Sequence, residues 1–158
     1  MSEYPGFNED FTDLLQLFVD ESVEFLVVGA HAMAAHGLPR ATGDLDLFVR
    51  PTADNAPRVL KALVRYGVPI AAHGVTADDF ETRGTVYQIG LPPRRIDILT
   101  QLSGVSWERA WGEHDEVRVE GAILPVIGPR ALIESKRATG RPKDLVDAEH
   151  LERRLSKT

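Results

Sequence analysis

The chain has 158 residues, of which 43% are hydrophobic and 27% charged, with a formal net charge of −6 and no cysteine. The length suits one domain with a real core, and the composition is that of an ordinary globular protein. Disulfides and thiolate metal sites are excluded, no apolar run is long enough to span a bilayer, and the first residues lack the basic then apolar pattern of a signal peptide. A cytoplasmic protein without a membrane partner is expected. Residues 136–158 hold seven Lys and Arg against four Asp and Glu, which leaves −9 on the remainder. The overall charge argues against a generic nucleic-acid surface; the basic end could serve an anionic substrate or simply be a solvated helix face.

In chain order, Phe11, Leu14, Leu15, Phe18 and Val19 follow the spacing of an amphipathic helix, over about residues 8–21. Residues 25–28 are an apolar run too short for a helix, Gly29 breaks it, and residues 30–35 are good helix formers closed by Gly37. Residues 44–49 return to a period of two. Thr52 can cap a helix with Val59, Leu60, Leu63 and Val64 as its buried stripe and Gly67 at its end. Residues 68–84 are poorly patterned, a connection or lid with a short helical turn at 76–80. Residues 85–91 and 94–99 read as strands parted by Pro92-Pro93. Trp107 and Trp111 share a face of a short helix, with the core as their expected destination. Residues 116–119 and 122–126 predict a hairpin, and Gly128-Pro129 and Arg141-Pro142 each start a helix, the second with Leu145, Ala148, Leu151 and Leu155 on its apolar side. With no repeat or linker, the expectation is a single α+β domain over residues 1–158, its core about 25–150: a short mixed sheet with helices packed on one face.

The chemistry concentrates at residues 25–49. Residues two apart on a strand share a face, so Asp44 and Asp46 project together while Leu45, Leu47 and Val49 enter the core. Two such charges about 4 Å apart repel by roughly 4 kcal/mol at an effective dielectric of about 20. A hard divalent cation would compensate, and magnesium is the natural candidate, with coordination positions left for substrate phosphates. The helix opening at Gly29 adds backbone N–H groups suited to a phosphate. Arg40 and Thr42 lie in the loop that feeds the carboxylates, where Arg40 could hold a phosphate or pair with Asp44. His31 and His36 have no metal-ligand spacing, so core or capping roles are expected of them. Asp144 and Asp147 are helix neighbours in a first turn, where acids are favoured by the dipole, and their reading as structural residues leads slightly over a functional one.

Gly29-Ala30, thirteen residues, then Asp44-Leu45-Asp46 among apolar neighbours resembles the signature of the polymerase-beta-type nucleotidyltransferase superfamily. Asp97, between Ile96 and Ile98, matches that superfamily's third carboxylate. Residues 136–147 resemble the last motif of the abortive-infection AbiE-toxin-like branch. The resemblance implies catalysis and metal binding by Asp44, Asp46 and Asp97. It also implies a nucleotide grip by Gly29, Ala30, Arg40, Thr42 and Lys136, with Asp144 and Asp147 as further site residues. It implies two magnesium ions in the active complex and a nucleoside triphosphate as substrate, whose nucleoside monophosphate passes to a hydroxyl of RNA or protein. A companion protein in a toxin–antitoxin pair would follow from the same likeness. In one respect the chain departs from the pattern: Ala30 stands where a Gly or Ser is usual, keeping the backbone donor without a hydroxyl. A non-catalytic nucleotide-binding or antitoxin-like protein, and an enzyme acting on a small molecule such as an antibiotic, are the alternatives.

Overall fold

The computed structural model describes residues 2–3, 7–39 and 43–157. Arg40 and Thr42 therefore lie outside the described residues. After β1 (Ser2–Glu3), Asn8 accepts a hydrogen bond from the Phe11 N–H and caps α1 (Glu9–Asp20), with two acids in its first turn. Then come β2 (Phe25–Val28), α2 (Gly29–Ala35), β3 (Leu45–Val49), α3 (Ala56–Tyr66), α4 (Ala77–Glu81), β4 (Val86–Ile89), β5 (Ile96–Leu99) and α5 (Trp107–Gly112). The hairpin of β6 (Asp115–Val119) and β7 (Ala122–Val126) leads into α6 (Pro129–Thr139) and α7 (Pro142–Ser156). Among the described residues no helix is long and apolar enough to cross a membrane.

The strands form one mixed sheet in the order β1-β6-β7-β2-β3-β5-β4. β2 is antiparallel to β3 and parallel to β7, while β3 is parallel to β5. Which helices lie on which face follows from aromatic contacts. Phe25 pairs with Val49 and Val27 with Leu47, so these side chains share a face, and Phe18 of α1 packs edge-on against Phe25 at 5.3 Å. α3 joins α1 on that side through the Arg65–Glu21 ion pair at 2.8 Å. Phe48 points the other way, and Trp107 meets it edge-on at 5.2 Å, so α5 lies on the face that Asp46 shares. The mixed α+β architecture expected from sequence is thus present, but helices lie on both faces of the sheet and not on one, because Phe48 gives the carboxylate face an apolar patch that α5 covers.

Four expectations about single side chains are corrected, the first being Val19, which is exposed near the end of α1 while Phe11, Leu14, Leu15 and Phe18 are buried. Val64 is exposed, because α3 turns Ala56, Val59, Ala62 and Leu63 inward instead. Trp111 is exposed too, stacked flat between Trp107 and His114 at 5.5 and 4.1 Å, while Trp107 alone is buried. Leu145 is exposed, since the inward stripe of α7 continues toward its start through Asp147 and Asp144.

Candidate active site

Strand register brings the carboxylates together. Asp46 of β3 pairs with Asp97 of β5 in a parallel ladder, so two side chains 51 positions apart in sequence stand beside each other on one face. Asp44 lies just before β3, and the backbone of Gly43 approaches the Pro93 carbonyl so closely that a Cβ there would come within 2.3 Å of it. That contact fixes the entry of the chain into β3.

The fourth charged member is Arg95, one residue ahead of β5, which no sequence pattern singled out. Its Nη2 lies 3.3 Å from Asp44 Oδ2 and its Nε 3.1 Å from Asp97 Oδ1, so one guanidinium ties the first carboxylate to the third. The sequence shows it only as part of the strand read over residues 94–99, and an arginine at the start of a strand is common on any surface.

Gly29 explains its own place. It adopts φ +68°, and a Cβ there would sit 2.1 Å from Asp46 Oδ2. The carboxylate occupies the space that any other residue would fill, so the glycine needed for the turn from β2 into α2 is also what lets Asp46 pack against that turn.

Burial, Asp97 and Asp44 together push the Asp46 carboxyl up from 3.8 to about 6, with Arg95 pulling the other way. Asp46 therefore holds its proton through the range between about pH 4 and 6, where an ordinary aspartate has already released it. Asp97 Oδ1 is buried and accepts no hydrogen bond, its contact with Arg95 being ionic. All the donors are hard carboxylate oxygens, the kind a divalent magnesium prefers, and such a cation would compete with the proton that Asp46 holds up to about pH 6. As the side chains stand, no group of three among the described residues is spaced as a finished metal cluster, and Arg95 lies between two of them. The donor set fits a hard cation once that guanidinium moves aside.

A cavity of about 580 Å³ opens over this face, lined by Gly29, Ala30, Asp44, Asp46, Arg95 and Asp97 on the sheet side. Lys136, Arg141, Lys143, Asp144 and Asp147, from α6, α7 and the turn between them, form its opposite wall. Lys136 lies 3.1 Å from Asp147 and 3.6 Å from Asp144, all three largely buried. Burial tends to raise Asp144, but the Thr139 hydroxyl and the charges of Lys136 and Arg141 outweigh it and hold the carboxyl below its ordinary value. Of the residues singled out in sequence, the structure gathers Gly29, Ala30, Asp44, Asp46, Asp97, Lys136, Asp144 and Asp147 around one cavity. His31 and His36 are built into the scaffold: His31 sits against Phe7 and Phe11, where burial lowers its pKa, and His36 Nε2 donates to the Ile127 carbonyl at 2.7 Å.

The chain has the nucleotidyltransferase fold. It is similar to the lincosamide antibiotic adenylyltransferase LnuA in its lincomycin-bound form, with a TM-score of 0.54 and 13% identity over 94% of this chain and 98% of that one. It is likewise similar to TM1012 of Thermotoga maritima, a candidate nucleotidyltransferase, with a TM-score of 0.52 and 13% identity over 98% of both chains. No family model and no curated protein matches the sequence. At such identity the likeness is one of fold, and any assignment of chemistry rests on the cavity itself.

Proposed function

We propose that the protein is a metal-dependent nucleotidyltransferase that moves a nucleoside monophosphate from a nucleoside triphosphate to a hydroxyl of a macromolecule, RNA or protein. The observation that carries this reading is the pairing of Asp46 with Asp97 across β3 and β5, beside Asp44, at the floor of a cavity whose far wall carries Lys136, Arg141 and Lys143 beside Asp144 and Asp147. In the reaction the acceptor oxygen bonds the α-phosphorus, the bond from that phosphorus to the oxygen bridging to the β-phosphorus breaks, and pyrophosphate leaves. Asp97 would take the acceptor's proton, and Asp44 and Asp46, with Asp97, would hold magnesium, which supplies charge neutralisation of the phosphates when bound. The Gly29-Ala30 turn would offer backbone donors to the triphosphate tail, and Lys136 and Lys143 positive charge from the opposite wall. Holding reactants in line supplies the rest of the rate. The likeness of residues 136–147 to the AbiE-like motif supports a companion protein and a toxin–antitoxin setting.

A second reading, favoured by the shared fold with LnuA, makes the acceptor a small molecule such as an antibiotic. Thermal melts test what both readings share. Magnesium with at least one nucleoside triphosphate should raise the melting temperature of the wild type and leave Asp44→Asn unmoved. No shift with any nucleotide at millimolar concentration would refute both.

A further inference from the structure

Arg95 has no role in the chemistry just described, yet it makes the closest charged contacts in the carboxylate set. Nη2 stands 3.3 Å from Asp44 Oδ2 and 3.4 Å from Asp97 Oδ2, and Nε 3.1 Å from Asp97 Oδ1. The Nε contact is ionic and misses hydrogen-bond geometry, so this is no aligned two-pronged fork. The Arg95 side chain as a whole is also about one-third exposed at the cavity, although its Nε is buried, and its long stem can rotate away from the sheet. A cation ligated by Asp44 and Asp97 would need the oxygens that Arg95 now faces, and two positive charges cannot share that space at low cost.

Resting on the nucleotidyltransferase reading, we infer that Arg95 is an internal counter-ion that competes with the divalent cation for Asp44 and Asp97, and that it turns to the polyphosphate of the nucleotide when the cation takes its place. The cation alone has to expel a guanidinium into solvent, whereas the cation with a nucleotide gives that guanidinium a new anionic partner. Metal and nucleotide therefore bind cooperatively, and by linkage each raises the other's affinity by the same factor. Arg95 is a positioning residue in this scheme: it keeps two like charges aligned until both ligands arrive.

Binding of Mn²⁺, followed by the loss of the free-ion electron paramagnetic resonance signal, tests the inference without any turnover. Arg95→Met should bind Mn²⁺ alone about tenfold or more tighter than wild type, and a non-hydrolysable nucleoside triphosphate should then add little, the coupling being of the usual allosteric size. Arg95→Lys, which keeps the charge, should stay close to wild type. If Arg95→Met does not fold, Arg95→Gln replaces it as a neutral variant that keeps a donor. Mn²⁺ affinity unchanged or weakened in the neutral variant, or tightened equally in Arg95→Lys, overturns the counter-ion role. Asp46→Asn separates the two levels of argument. If it weakens Mn²⁺ while the neutral variant fails to tighten it, the Arg95 inference alone falls. If no protein in the series binds Mn²⁺, the metal site of the proposed function falls and the inference with it.

Discussion

Asp46 retains a proton that the unfolded chain would release, because its folded pKa is raised from 3.8 to about 6 by burial and by its neighbours Asp97 and Asp44. A raised folded pKa means that the native state binds more protons between those values. The stability from this group is therefore full below about pH 4 and is lost as pH rises through about 6, a change of up to about 3 kcal/mol. Asp46→Asn carries no charge at any pH. Without metal it should melt a few degrees above wild type at pH 7.5, with the gap closing toward pH 4; a lower melting temperature at pH 7.5 would mean that the charge stabilises the fold and would sink the metal-site assignment. Gly29 makes the complementary case. Gly29→Ala forces a Cβ into the Asp46 carboxylate at a positive φ, and a denaturant titration should show a loss of about 1–3 kcal/mol, with Asp46→Ala in the same chain relieving the clash and leaving the backbone strain. If the double variant is no better than the sum of the singles, the contact is not what constrains Gly29. The sequence made Gly29 legible as a helix break, whereas the reason for it lies in a residue seventeen positions away.

At the scale of elements, α6 and α7 are joined by Lys136, whose ammonium serves Asp147 at 3.1 Å and Asp144 at 3.6 Å. Lys136 has a structural duty as well as a place on the cavity wall, so removing it does more than delete a point charge. Lys136→Met removes a cation shared by two largely buried carboxylates, of which Asp144 keeps Arg141 at 2.9 Å, and should cost about 3 kcal/mol, with Lys136→Met plus Asp147→Leu regaining a good part. Chemical denaturation measures both; a loss below about 1 kcal/mol in the single variant would show the cluster to be hydrated and its lysine dispensable. The same cluster shows where periodicity runs out. The apolar spacing of α7 placed Ala148 and Leu151 correctly in the core, but the inward row continues as Asp147 and Asp144, which a hydrophobic pattern cannot register. Strand positions fared better, since alternation marks both faces: Asp46 and Asp97 could each be seen to leave the core, though only the β3–β5 register shows that they meet. Arg95 and the fully buried Asn55, which accepts from the Glu24 N–H and donates to the Glu24 and Arg50 carbonyls, gave no signal at all. Their partners are set by tertiary approach, not by spacing.

For the molecule as a whole the open term is the acceptor, and the charge distribution gives it a direction. α1, rich in Asp and Glu, packs through Phe18 on the sheet face opposite Asp46, while Arg141 and Lys143 line the cavity from the start of α7, in the part of the chain with the basic excess. A polyanionic acceptor would therefore meet repulsion on one side and attraction at the cavity mouth, and its encounter should weaken as salt rises. Wild-type protein incubated with magnesium, labelled nucleoside triphosphates and a cell extract should place label on a macromolecule, and Asp44→Asn should place none. Fractionation then assigns the acceptor: label that resists protease and yields to ribonuclease marks RNA, and the reverse marks protein. Lys143→Glu should slow transfer to an RNA acceptor severalfold at low salt, and that difference should shrink above about 0.3 M salt, where the screening length is only several ångströms. Label found only on small molecules would move the assignment to the antibiotic-type reading. Nucleotide binding without label anywhere, together with tight binding of a companion protein, would replace the enzyme with a nucleotide-binding interaction protein, and the guanidinium of Arg95 among the carboxylates would then be its resting partner for good.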